Sequence, residues 1–206
     1  MRTPTPIDAV ADDYTRHLAE LRPLTATAIG VPGFDHLVGD YSPAGHAALD
    51  RLTRDTLARL DALSPVDDVD AVTLAAMRER LGLDAELYAA REYRADLNVI
   101  ASPPQEFRDV FDLMPTATAA DWERIAERLG RLPEAMAGYL DCLREGAASG
   151  PVPALRQVTE VARQADEEPP VREPGQQHLR SGGDRDPVDQ PAGAEIAQHR
   201  AQVVVR

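Results

Sequence analysis

The side chains in this sequence that could do chemistry are few, and their spacing decides what each could do. His17 follows Asp13 by four residues, so on a helix both lie on one face and could present two ligands to a metal ion. A catalytic zinc site needs a third ligand, and none is spaced to supply it, so a solvated Asp/His pair is expected. His36 and His46 flank a Gly/Pro-rich loop that also carries Asp35 and Asp40. Loops do carry functional residues, but these four form no dense cluster, and ordinary loop polarity is expected. His178 and His199 lie far downstream, in a segment with no apolar pattern. A His-Glu-x-x-His pair is absent.

Nucleophiles are equally sparse. Cys142 is the single cysteine, on a helical stretch beside Asp141 and near Arg144. With no base nearby it reads as a small buried hydrophobe. No Gly-x-Ser-x-Gly elbow or phosphate-binding loop occurs. Gly30-Val-Pro-Gly33 follows no strand and is not a dinucleotide fingerprint. Asp67, Asp68 and Asp70 suit the positive N-terminus of a long helix. Phe107, Val110, Phe111 and Trp122 could line a pocket, but a core cluster joining two helices is the expected use. No catalytic, cofactor-binding or metal-binding residue is therefore assigned, and no cofactor is expected in this chain.

The elements that would have to position such groups are helical. The chain has 206 residues, 43% hydrophobic and 4% aromatic, with Leu and Ala dominant, a mix that favours helices over sheets. Thr5-Pro6 with Asp8 reads as a capping box before Ile7, Val10, Tyr14, Leu18 and Leu21. The stretch from Pro23 to Asp35 is a short helical or irregular connection broken by Gly30, Pro32 and Gly33. Ser42-Pro43 starts a helix with a stripe of Leu49, Leu52, Leu57, Leu60 and Leu63, ended by Ser64-Pro65. A long helix is expected from about Asp70 to about Leu97, with Gly82 as its weak point. Ser102 with Gln105 caps a short helix that stops at Met114-Pro115. Thr118 with Asp121 caps a helix carrying Trp122, Ile125, Leu129 and Leu132, which Pro133 is expected to kink or restart. Met136, Leu140 and Leu143 continue the stripe, Gly146 and Gly150 end it, and a last helix runs through Leu155, Val158 and Val161. The expected fold is all-α: an irregular bundle of about five to six helices over residues 1–166.

At about Glu167 the text changes to Pro, Gly, Gln, Arg and Asp, with one Leu and one Ile before the final AQVVVR. Such a segment buries too little to offset its ordering entropy, so residues 167–206 are expected to be a largely disordered tail. The net charge of −13 argues against nucleic-acid or anionic-membrane partners. No apolar run reaches a bilayer span, and the N-terminus lacks a signal-peptide core, so a cytoplasmic location is expected.

The order of these segments resembles one bacterial family, domain of unknown function 885. The turn after the first helix is similar to the family's "Pro-x-x-Ala-Thr-x-x-Gly", here Pro23, Ala26, Thr27 and Gly30. The later stretch WERIAERLGRLPEAMAGYLDCLREGAASGPVPALRQV is similar to its "Arg-Leu…Leu-Pro" helix and Gly-x-x-x-Gly-x-x-Pro exit, here Gly146, Gly150 and Pro153. The resemblance covers about residues 7–166 and rests on helical segments, not on a catalytic motif. It implies a long, largely helical zincin-type metallopeptidase in full-length relatives, with zinc held by a downstream His-Glu and Pro-Gly-His-His. This sequence contains neither. The resemblance thus implies a truncated N-terminal helical part, inactive alone, and the residues after about Glu167 are then either read out of frame or a natural disordered tail. Its partner would be the missing C-terminal half, or another protein, through an exposed apolar face. The other expectation is a stand-alone acidic helical interaction module.

Overall fold

A computed structural model describes residues 2–166. Among these residues there are seven α-helices and no strand: α1 Pro6–Leu21, α2 Pro23–Ile29, α3 Pro43–Asp61, α4 Asp68–Ala89, α5 Pro103–Asp109, α6 Ala119–Ser149 and α7 Leu155–Asp166. Short 3-10 turns cover Glu92–Arg94 and Val110–Leu113. The expected all-α bundle is the observed one, with α2 a defined helix. The tail expectation, His178 and His199 lie outside the described residues.

Local sequence sets the helix starts. Thr5 and Asp8 form the capping box of α1, Ser102 and Gln105 that of α5, and Thr118 and Asp121 that of α6. Ser42 caps α3 through Gly45 N–H, and Asp67 caps α4 through Asp70 N–H. Asp70 is fully buried beneath that cap. It accepts from Thr5 Oγ1 at 2.7 Å and Val66 N at 3.1 Å, and pairs with Arg2, which also reaches Asp8 and Asp67. The acidic group at Asp67–Asp70 thus ties the start of α4 to that of α1.

Two apolar clusters hold the helices. In one, Ile7 and Val10 of α1 meet Leu60 of α3 and Leu74 and Leu81 of α4. In the other, Leu24 of α2, Val38, Tyr41, Phe107 and Val110 meet Ala135 and Tyr139 of α6. The α3 face is rotated from the expected Leu stripe: Thr53 and Thr56 are buried, and Leu49 and Leu52 only partly. Thr56 pays no unpaired hydroxyl, because its Oγ1 donates to Leu52 O at 2.7 Å.

Expectations about helix ends are corrected at three places. α4 ends at Ala89, not near Leu97, because Arg91 adopts the left-handed conformation (φ 63°). That reversal returns Tyr93 to stack on Tyr88 and on His46. Pro133 does not restart α6, which is continuous from Ala119 to Ser149. Pro133 is exposed, so the helix carbonyl it leaves without a donor faces solvent. Gly146 does not end α6 either. It is a buried contact inside the helix, where a Cβ would lie 2.7 Å from Arg94 O, while Gly150 is the C-cap.

The inward face of α6 repeats every three or four residues: Ile125, Arg128, Leu132, Ala135, Tyr139, Cys142 and Gly146. Along it the helix is fastened to loop backbone. Tyr139 donates to Asp96 O at 2.7 Å, Cys142 Sγ donates to Tyr41 O at 3.2 Å, and a Cβ on Gly138 would lie 2.9 Å from Ser42 N. α6 is the spine of the second cluster.

Candidate functional site

The polar groups the fold brings together sit where α6 crosses the connection between α2 and α3. Arg128 is the largest fully buried side chain. Its Nε donates to Leu37 O at 2.9 Å, and its Nη2 to Phe34 O at 3.0 Å and Thr27 Oγ1 at 2.9 Å. Thr27 Oγ1 in turn donates to Asp35 Oδ1 at 2.7 Å. Burial lowers the guanidinium's pKa and the Asp35 carboxylate opposes that shift. Nη1 is buried with no hydrogen-bond partner among the described residues. The Pro23/Ala26/Thr27/Gly30 turn is therefore the seat of Arg128: Pro23 opens α2, Thr27 takes the guanidinium, and Gly30 (φ 77°) closes α2 in the left-handed region.

A second knot lies beside it. Arg22 donates from Nη1 to Asp40 O at 2.7 Å and lies over the Tyr41 ring at 4.5 Å. Tyr41 OH donates to Glu106 at 3.1 Å, and its ring meets Phe107 edge-on at 4.7 Å. Desolvation, followed by the Glu106 charge, raises the Tyr41 phenol above its ordinary range and pushes Asp96 up to about 6. Burial pushes the Cys142 thiol up to about 11, so it is no thiolate nucleophile at neutral pH. These groups mostly answer backbone carbonyls or one another. The arrangement holds loops in place.

The sequence-selected residues fall as follows. Asp13 is paired with Arg59 at 2.5 Å and with Arg16, while His17 Nδ1 lies 2.8 Å from Asp13 O. Both are spent within α1 and its contact with α3. Asp35 holds Thr27 and Asp40 Oδ1 accepts from Ser42 N at 2.8 Å, while His46 stacks on Tyr93 and shares Arg22 with the Asp40 carbonyl. Among the described residues no group of three or more His, Cys, Asp or Glu could hold a metal ion. Phe107 and Val110 are buried and Phe111 packs against them, as a core cluster requires. Trp122 is the exception. It is 57% exposed and its Nε1 donates to Thr116 O at 3.1 Å. Arg128 was not singled out from the sequence, although Ile125-x-x-Arg128-x-x-x-Leu132 places it on the core face at helical spacing.

His46 gives a pH dependence with a defined sign. Its ring lies 4.5 Å from that of Tyr93, and Arg22 Nη2 approaches Nδ1 at 3.4 Å. Burial, then the Arg22 charge, holds the imidazole down to about 4, against 6.5 for the free group. A depressed histidine stabilises the fold fully above the unfolded value, and that stability is lost as pH falls from about 6.5 towards about 4, by about 2–3 kcal/mol. Asp96, with its raised value, works in the opposite sense as pH rises from about 4 to about 6. The readout is therefore the difference between the parent and His46→Gln in urea midpoint from pH 7 to 4.5. The parent is expected to lose more stability on acidification, and equal slopes would contradict the assignment.

The sequence model of the family described as bacterial protein of unknown function (DUF885) matches residues 23–203. The match begins at the Pro23 turn and continues past the change in composition at Glu167. No curated protein matches the chain. Among the described residues no helix is long and apolar enough to cross a membrane.

Proposed function

From the premise that the chain belongs to the bacterial family of unknown function DUF885, we propose that residues 2–166 are a non-catalytic helical scaffold of a zincin-type, metallopeptidase-like protein. They would wall a catalytic part supplied by other polypeptide and be inactive by themselves. Zinc would be bound by that other part, whose His-Glu and Pro-Gly-His-His have no counterpart in this sequence. The observation that carries the reading is the orientation of α7. Gln157 accepts from Val99 N at 3.1 Å and Gln164 from Gln105 Nε2 at 3.1 Å, so a largely polar side of α7, with half-buried Val161 beside it, meets the body. Leu155 is 81% exposed on the other side and Val158 is exposed with it. A strongly amphipathic helix gains little from such a seat unless something covers its apolar edge.

Hydrolysis of a casein or mixed-peptide pool by the full chain, with zinc supplied, tests the reading. No turnover above buffer is expected. Hydrolysis that a chelator abolishes, and that scales with chain concentration, would overturn it.

A further inference from the structure

α6 carries a second seam that its own domain does not use. Trp122, Ala126, Leu129, Pro133, Met136 and Leu140 follow one another at alternating steps of four and three residues. All six are exposed, Met136 by 48% and Leu140 by 45%. The next steps in the series fall on Leu143, which is half-buried against the domain's own core cluster and presents only its outer edge, and on exposed Ala147. A helix packed on one side needs one apolar stripe, and its solvent side is ordinarily polar. A sustained four-three repeat is the pattern that keeps two long helices in contact.

We propose that this seam is an isologous contact in which α6 pairs antiparallel with α6 of a second copy of the chain. The sequence of the seam fits its own reverse. With the two-fold axis between Pro133 and Met136, Trp122 of one copy faces Ala147 of the other, Ala126 faces Leu143, and Leu129 faces Leu140. Large side chains then meet small ones at both ends, which lets the layers interdigitate. Beside the seam, Glu123 of one copy comes opposite Arg144 of the other, twice by symmetry, and Gly130 opposite Ala137 allows close approach at the centre. Arg144 already meets Asp141 at 2.9 Å within its own helix, an exposed pair that costs little to share. Parallel pairing would set Trp122 against Trp122 and take Glu123 away from Arg144, so size and charge both select the antiparallel arrangement. This inference does not depend on the metallopeptidase-like reading, because it uses α6 and not α7.

Sedimentation of the full chain between about 1 and 100 µM tests it. A reversible dimer is expected for the parent. Leu129→Arg alone and Leu140→Glu alone are each expected to weaken it by at least about tenfold, since each sets one charge against an apolar partner. The double variant L129R/L140E is expected to recover dimerisation, because the two introduced charges then face each other across the contact. Both sites are exposed, so far-ultraviolet circular dichroism should match the parent throughout. A monomer at every concentration overturns the proposal, as does a dimer indifferent to the single changes. A double variant no better than the singles overturns the antiparallel register.

Discussion

Arg128→Met is expected to lower the unfolding free energy by about 3 kcal/mol. The guanidinium is 0% exposed and is the donor to Leu37 O, Phe34 O and Thr27 Oγ1. Methionine fills most of the volume and supplies no donor. Replacing a whole buried ion pair by apolar residues is often neutral, but here the acceptors are main-chain carbonyls that no companion substitution removes. Leu37 O is left without a donor, at about 1–3 kcal/mol, and the charge-assisted bond to Phe34 O, which keeps the Leu37 N–H at 2.9 Å, is lost as well; together they outweigh the relief of desolvating one cation. Thr27 keeps Asp35, so it contributes less. Arg128→Lys should recover less than half of the loss, because one ammonium cannot span the Leu37 and Phe34 carbonyls as a planar fork does. Urea denaturation at constant slope gives the number, and a change under about 1 kcal/mol would show that the connection between α2 and α3 is held by its apolar contacts instead.

Glycine substitutions in two helices should have opposite signs. Gly45→Ala is expected to destabilise by about 2 kcal/mol. A Cβ there would lie 2.1 Å from Asp40 O and 2.7 Å from Asp40 C, both backbone atoms of the turn that leads into α3. The turn is also fixed by Asp40 Oδ1 on Ser42 N and Arg22 on Asp40 O, so it cannot retreat freely. The helix preference for Ala, about 1 kcal/mol at most and smaller in a first turn, does not offset that contact. Gly82→Ala meets no atom within 4 Å and should stabilise by about 0.5–1 kcal/mol. In thermal melts of a domain this size the pair should part by roughly 5–10 °C, with the parent between them. Equal signs would contradict the packing described at Asp40.

Much of this architecture was legible because helix caps are local chemistry. Thr5, Ser42, Asp67, Ser102 and Thr118 each act within three residues of themselves, and sequence spacing captures such contacts. What spacing does not give is which side of a stripe faces inward. Trp122, Ile125, Leu129 and Leu132 read as one apolar set, yet Ile125 and Leu132 turn towards the core and Trp122 and Leu129 away from it. α4 overran for a related reason: Arg91 takes a positive φ that no residue preference announces, and stacking by Tyr88, Tyr93 and His46 accompanies it. Of the candidate groups, Asp13 and His17 were legible as neighbours, with Nδ1 3.5 Å from Oδ1, although Arg59 also pairs with that carboxylate. Asp35 and His46 go to separate contacts, with Thr27 and with Tyr93, that their spacing did not announce. Arg128 was hidden by the opposite error, since an arginine is read as surface until its helical register is followed.

On the function proposed above, these helices contact other polypeptide while zinc is held elsewhere. Zinc binding to the full chain tests it most directly, by metal content after dialysis together with the melting temperature with and without added zinc. A native-state site saturated about a thousandfold above its dissociation constant would add about 4 kcal/mol of stability. Substoichiometric zinc is expected, with a melting temperature that zinc does not raise. One zinc per chain that survives dialysis and raises the melting temperature would contradict it.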